Sequence, residues 1–122
     1  PQLIKDGSTV RLQHMYTGRY LHSHMVEAPV TKSEWEVSGY GNATISDPND
    51  LWIVEVVKDT ASGEAAAPGV LHALFTQFRL RHKTLGCYLR AQNVHLPEWG
   101  FKQIEVTCDR SPRARSDRTV LW

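Results

Sequence analysis

Val10-Arg11-Leu12-Gln13-His14 and, three residues on, Gly18-Arg19-Tyr20-Leu21 recur 68 positions later as Phe78-Arg79-Leu80-Arg81-His82 and Gly86-Cys87-Tyr88-Leu89. Two motifs and the gap between them repeating at one offset are the mark of an internal repeat. Further along, Ala28-Pro29 matches Leu96-Pro97 at the same offset, Glu36-Val37-Ser38 matches Glu105-Val106-Thr107 at 69, and Leu51-Trp52 matches Leu121-Trp122 at 70. A drift of one or two residues is what loops absorb. The copies are read as residues 4–57 and 70–122, joined by a connection over 58–69 rich in Ala, Gly and Ser.

Each copy has the pattern of short strands. Val10, Leu12 and His14 alternate with Arg11 and Gln13, and Phe78, Leu80 and His82 alternate with Arg79 and Arg81, the period-two signature of a half-buried strand. Gly18 and Gly86 permit the tight turn that follows. Tyr20-Leu21-His22 and Tyr88-Leu89-Arg90 return from it, Glu36 to Ser38 and Ile104 to Thr107 give a third strand, and Trp52 to Val57 gives a fourth in the first copy. No long amphipathic helix is evident. The expectation is an all-β fold of the β-trefoil type, with two of three repeats present in the chain. A trefoil short of one repeat exposes sheet edges, so a neighbouring sequence or self-association with a second copy is expected to complete it.

The chain has 122 residues, 41% hydrophobic and 22% charged, with a formal net charge of +1. These values suit one globular domain and exclude wholesale disorder. The mixed charges give no broad field for nucleic acid or anionic lipid, and the basic stretch from Arg110 to Arg118 is broken by Ser111, Pro112, Ser116 and Asp117. No apolar run is long enough to insert into a membrane or to act as a leader. Starting at Pro1-Gln2, the chain reads as a processed product, a recombinant product or a piece of a longer protein. Cys87 and Cys108 are too few to define a disulfide framework; whether they meet is open, and two buried free thiols are the expectation. Asn42-Ala43-Thr44 fits the N-glycosylation sequon and falls in an evident loop, so Asn42 is a candidate glycosylation site.

Gly18 to His24, Ala28 to Thr31, Trp35 to Gly41 and Asp47 to Asp50 before Trp52, with Gly86 to Arg90 and Leu96 to Cys108 in the second copy, resemble the second and third repeats of the MIR domain of protein O-mannosyltransferases. The resemblance covers nearly the whole chain. It implies a β-trefoil held in the endoplasmic reticulum lumen as part of a membrane enzyme that moves mannose from dolichyl-phosphate mannose to Ser or Thr. Within that enzyme the MIR domain is taken to bind glycan or acceptor polypeptide, so the segment itself is expected to do no transfer. Against the family's three repeats, the first repeat and the last strand of the third are missing. Two rivals stand beside this reading. One is an independent secreted lectin, although the Gln-x-Trp mark of the common lectin trefoil is absent; the other is a structural assembly module.

His22-Ser23-His24 is the sharpest local pattern, because residues two apart on a strand share a face. Such a pair can ligate metal, donate to sugar hydroxyls or pack locally. No further ligands lie at metal-binding spacing, so no metal is expected. Sugar recognition calls for an aromatic ring against a pyranose face with planar polar groups around it. The candidate rings are Trp35, Tyr40 and Trp99, in or beside loops; Trp52 and Trp122 are read as core. The candidate polar partners are His22, His24, Arg90 and Asn93, with Glu98 in reserve. His14 and His82 hold matching places and are assigned a shared structural role. Asp47, Asn49 and Asp50 are read as a turn rather than a calcium loop. No acid–base pair, nucleophile or phosphate-cradling loop is legible, so neither catalysis nor a cofactor is expected.

Overall fold

The computed structural model describes residues 3–42, 44–45, 47–59, 69–72 and 75–122. Among the described residues, seven strands form one antiparallel sheet: β1 (Thr9–Val10), β2 (Tyr20–Glu27), β3 (Trp35–Tyr40), β4 (Trp52–Asp59), β5 (Thr76–His82), β6 (Tyr88–His95) and β7 (Ile104–Asp109). The order across the sheet is β1-β4-β5-β6-β7-β3-β2. Its two ends are consecutive in the chain and meet: Gln13 bridges Tyr20, and the Leu21 N–H donates to the Leu12 carbonyl at 2.8 Å. The sheet therefore curls back on itself into a trefoil-like body, all-β as the alternation requires, with short 3₁₀ turns between strands.

The ladders place the two copies in the same register. Tyr20 faces Tyr40, Leu21 faces Gly39 and His22 faces Ser38; in the second copy Tyr88 faces Asp109, Leu89 faces Cys108 and Arg90 faces Thr107. Both tryptophans that end their segments use the indole the same way. Trp52 donates from Nε1 to the Leu21 carbonyl at 3.0 Å, and Trp122 to the Leu89 carbonyl at 3.1 Å. Trp52 is fully buried, in the core with Val54, Leu80 and Leu89, whereas Trp122 is 40% exposed, so the expectation of core holds fully only for Trp52.

The histidine hairpin also repeats. The Gly18 and Gly86 N–H groups donate to the His14 and His82 carbonyls, with φ of 72° and 76° at the two glycines. The backbone N–H three residues after each histidine, at Thr17 and Leu85, points to its Nδ1. This is the shared structural role of the pair. Only His82 is covered, by the Trp52 ring edge at 4.8 Å and the Asn49 carbonyl, to which it donates from Nε2 at 2.8 Å. Burial pushes the His82 pKa down, which disfavours the charged ring in that place.

Three expectations are corrected. The stretch over Val10 to His14 is not one strand, because β1 has β4 as partner only at Thr9 and Val10, whereas β5 is laddered to β4 from Trp52 to Asp59. The connection over 58–69 begins later, since Lys58 and Asp59 continue β4 opposite Gln77 and Thr76; residues 60–68 lie outside the described ones. Cys87 and Cys108 are buried but not free: they form a disulfide with Cα atoms 5.3 Å apart. The register that sets Leu89 against Cys108 brings Cys87, two residues before Leu89 on the same face, to its side. That adjacency exists only once the strands are paired.

Candidate functional site

In the first copy, His22 is buried on β2 and its Nδ1 lies 2.9 Å from Asp50 Oδ1. Asp50 closes a 3₁₀ turn over Pro48–Asp50, in which the Asp47 carboxylate accepts from the Asn49 N–H and the Asp50 carboxylate from the Asp47 N–H. The Asp47-to-Asp50 stretch is thus the turn it was read as, with one acid turned inward to a histidine. Tyr40, at the end of β3, stacks on the His22 ring at 4.3 Å and 23°. His24, two residues along β2, meets the same ring edge-on at 5.0 Å, and its Nε2 lies 3.3 Å from Glu36 Oε1. Three nominated residues, His22, His24 and Tyr40, therefore come together.

Arg90 holds the corresponding place in the second copy. Its guanidinium donates to Glu34 at 2.6 Å, to Asp109 at 3.2 Å and to Gln92 at 2.5 Å, and lies 3.7 Å from Asp117. Glu34 also accepts from the Thr107 hydroxyl. Burial raises the Glu34 pKa, with Asp109 and Glu105 adding to the rise and Thr107 and Arg90 opposing it. Next along β7, the Glu105 carboxylate accepts from the Val30 and Thr31 N–H groups at 2.8 and 3.1 Å. The Arg110 guanidinium lies 3.9 Å from the Trp35 ring centroid and donates from Nε to the Ser33 carbonyl. These contacts clasp the loop from Val30 to Glu34 of one copy onto β7 of the other.

Beside this clasp opens a cavity of about 480 Å³ walled by Glu34, Arg90, Asp109, Asp117 and the loop from Arg110 to Ala114. Guanidinium donors and carboxylate acceptors face one space, and the buried Arg90 Nε has no hydrogen-bond partner among the described residues. The Thr119 hydroxyl and N–H, both donating to the Asp117 carboxylate, pull its pKa below the ordinary value. Donors and acceptors fixed side by side suit a polyhydroxylated ligand.

The other nominated residues stand apart. Trp35, the first residue of β3 and so beside a loop, lies against the Arg110 guanidinium. Trp99 is 65% exposed on a 3₁₀ turn over Glu98–Gly100, above a separate groove of about 400 Å³ with Leu96, Ile104, Val37 and Pro29. That turn needs Gly100, where a Cβ would come within 2.7 Å of the Leu96 side chain. Asn93 is exposed on β6 and bonded to His95. Asn42 is exposed just after β3, its Oδ1 accepting from the Thr44 N–H at 2.9 Å and hydroxyl at 2.7 Å; Ala43 lies outside the described residues. Asp109 and Asp117 were not nominated. The repeat offset that pairs Tyr40 with position 109 and Asp47 with position 117 was the signal that could have found them.

The family model described as the MIR domain matches residues 2–119, and the chain belongs to the MIR domain family. Within it, the chain is similar to protein O-mannosyltransferases. It is 45% identical over 118 residues to the dolichyl-phosphate-mannose–protein mannosyltransferase 3 of Saccharomyces cerevisiae, covering 97% of this chain and 15% of the relative. It is 40% identical over 122 residues to the protein O-mannosyl-transferase 2 of Danio rerio, covering 100% of this chain and 15% of the relative. The chain thus spans a small part of these relatives. Among solved structures it superposes on the S. cerevisiae protein O-mannosyltransferase Pmt1-Pmt2 complex bound to the sugar donor with a TM-score of 0.84 at 45% identity, over 99% of this chain and 17% of that one. It superposes on the SDF2-like protein from Arabidopsis thaliana with a TM-score of 0.79 at 30% identity, over 99% of this chain and 59% of that one.

Proposed function

We propose that this chain is the lumenal MIR module of a protein O-mannosyltransferase in the endoplasmic reticulum, and that it holds glycan or acceptor polypeptide for an enzyme that transfers mannose from dolichyl-phosphate mannose to Ser or Thr. The observation that carries the binding role is the cavity beside Arg90, where guanidinium and carboxylates already fixed by Glu34 and Thr119 leave a space of about 480 Å³. A sugar entering it exchanges water for oriented partners without reordering the side chains, which is the cheap way to bind a polar ligand. The test is titration of the isotopically labelled chain with methyl α-mannoside, and with a Ser/Thr-rich peptide carrying or lacking O-mannose, followed by amide and guanidinium shifts. Saturable shifts are expected at Arg90, Ser111 and Asp117, stronger with the mannosylated peptide than with the bare one. Shifts that never saturate, or that fall elsewhere, overturn the site.

A second reading, assembly with another β unit, rests on a different surface. Ile4 and Leu12 are 42% and 43% exposed around a wholly apolar hollow of about 190 Å³ with Val10, Leu71 and Phe78. An apolar hollow at a sheet end favours covering by another chain or segment. Sedimentation of the isolated chain is expected to show a mass above the 13.8 kDa of one copy, and a compact monomer overturns this reading.

A further inference from the structure

The two copies place four residues in matching positions around their two local sites. His22 corresponds to Arg90 and His24 to Gln92, by the repeat offset and by their places on β2 and β6. Tyr40 corresponds to Asp109, since the ladders set them against Tyr20 and Tyr88. Asp47 corresponds to Asp117, as both carboxylates cap the 3₁₀ turn before the repeated Leu-Trp and accept the N–H two residues on. Two of these pairs exchange one polar group for another, and Asp47 and Asp117 keep the same one. The fourth exchanges a short acid for an aromatic ring.

That exchange falls where the second copy is open. Asp109 bends back to bond Arg90 and the Ser111 N–H, and the space beyond it is cavity. Tyr40 instead lays its ring flat on the His22 ring, with His24 against the edge of the latter. The His22 residue is 2% exposed although it sits at the counterpart of the cavity wall, and Tyr40 itself is 44% exposed. Among the described residues, the one hydrogen bond of the His22 side chain is that to Asp50, which leaves Nε2 free to serve a ligand.

We propose that the first copy contains a second polyol-binding site, built from His22, His24 and Asp47, and that the Tyr40 ring is the stopper that keeps it shut. The module then offers one open sugar site from two equivalent positions, and residue 40 sets that number. The proposal rests on the reading of the Arg90 cavity as a sugar site. Stacked rings bring modest energy beyond their burial, so a half-exposed ring can be removed without dismantling the core.

The experiment titrates methyl α-mannoside into the wild-type chain and into Tyr40→Asp, which installs the residue type of the second copy, with Tyr40→Ser as an alternative should the first fail to fold and Tyr40→Phe as the closed control. Imidazole signals of His22 and His24 report one site, and amide signals of Ser111 and Asp117 the other. The expected result is one saturable site in wild type and Tyr40→Phe and two in Tyr40→Asp or Tyr40→Ser, the new one shifting His22 and His24. One site throughout overturns the stopper and leaves the Arg90 reading standing. Binding confined to the opened first copy supports the stopper and overturns the Arg90 reading. A second site already present in wild type or Tyr40→Phe, or no binding to any variant, overturns the proposal.

Discussion

Replacing Trp52 by alanine is expected to lower the unfolding free energy by about 3–5 kcal/mol, the usual cost of deleting a buried aromatic ring. Trp52 is 0% exposed and begins β4, the strand laddered to both β1 and β5. Its ring packs edge-on against His82, and its indole N–H satisfies the Leu21 carbonyl. The substitution opens a cavity where both copies meet and strips a carbonyl of its donor, so relaxation can recover little of the loss. A domain of this size has roughly 5–15 kcal/mol to lose, so the midpoint of urea unfolding should fall steeply. Trp122→Ala removes the same kind of hydrogen bond from an indole that is 40% exposed, and should cost markedly less. Equal losses from the two substitutions would show that the burial difference does not govern their roles.

Arg90→Met is expected to destabilise the chain by about 3–5 kcal/mol at pH 7, the scale for removing one partner from a buried ionic cluster. Glu34 and Asp109 are each 4% exposed and lose a shared cation. The loss should depend on pH in a definite direction. Burial already holds the Glu34 pKa above its ordinary 4.5, and removing Arg90 takes away the nearby positive charge that opposes the rise. A carboxyl whose folded pKa is raised binds its proton more tightly in the folded state. Its cost is absent below the unfolded pKa and grows as pH rises toward the folded one. The gap between Arg90→Met and wild type should therefore be smaller at pH 4.5 than at pH 7 in paired denaturation curves. A gap independent of pH would mean that Arg90 acts through the packing of its stem and not through its charge.

Much of the fold was legible because the hydrophobic and turn signals repeat. Leu21 and Leu89, Trp52 and Trp122, and Gly18 and Gly86 recur at nearly one spacing, and each pair takes matching backbone or indole contacts. The candidate site was legible in part. Period two on β2 was enough to put His22 beside His24, and the same repeat put Arg90 in the equivalent place. Nothing local to Arg90 shows that Glu34, 56 positions earlier, accepts from it at 2.6 Å. Nor does anything local show that Asp109 and Asp117 complete the cavity wall.

The sequence by itself determined the duplication, the strand periodicity, the all-β class and the likeness to the MIR domain, because these reside in spacing along one chain. The tertiary structure alone decided that Cys87 and Cys108 are bonded, that Tyr40 lies on His22 while Asp109 leaves Arg90 open, and that Trp99 stands over a different groove. Each of these depends on which strands become neighbours and in what register. Residue spacing restricts that choice; the packing of one copy against the other makes it.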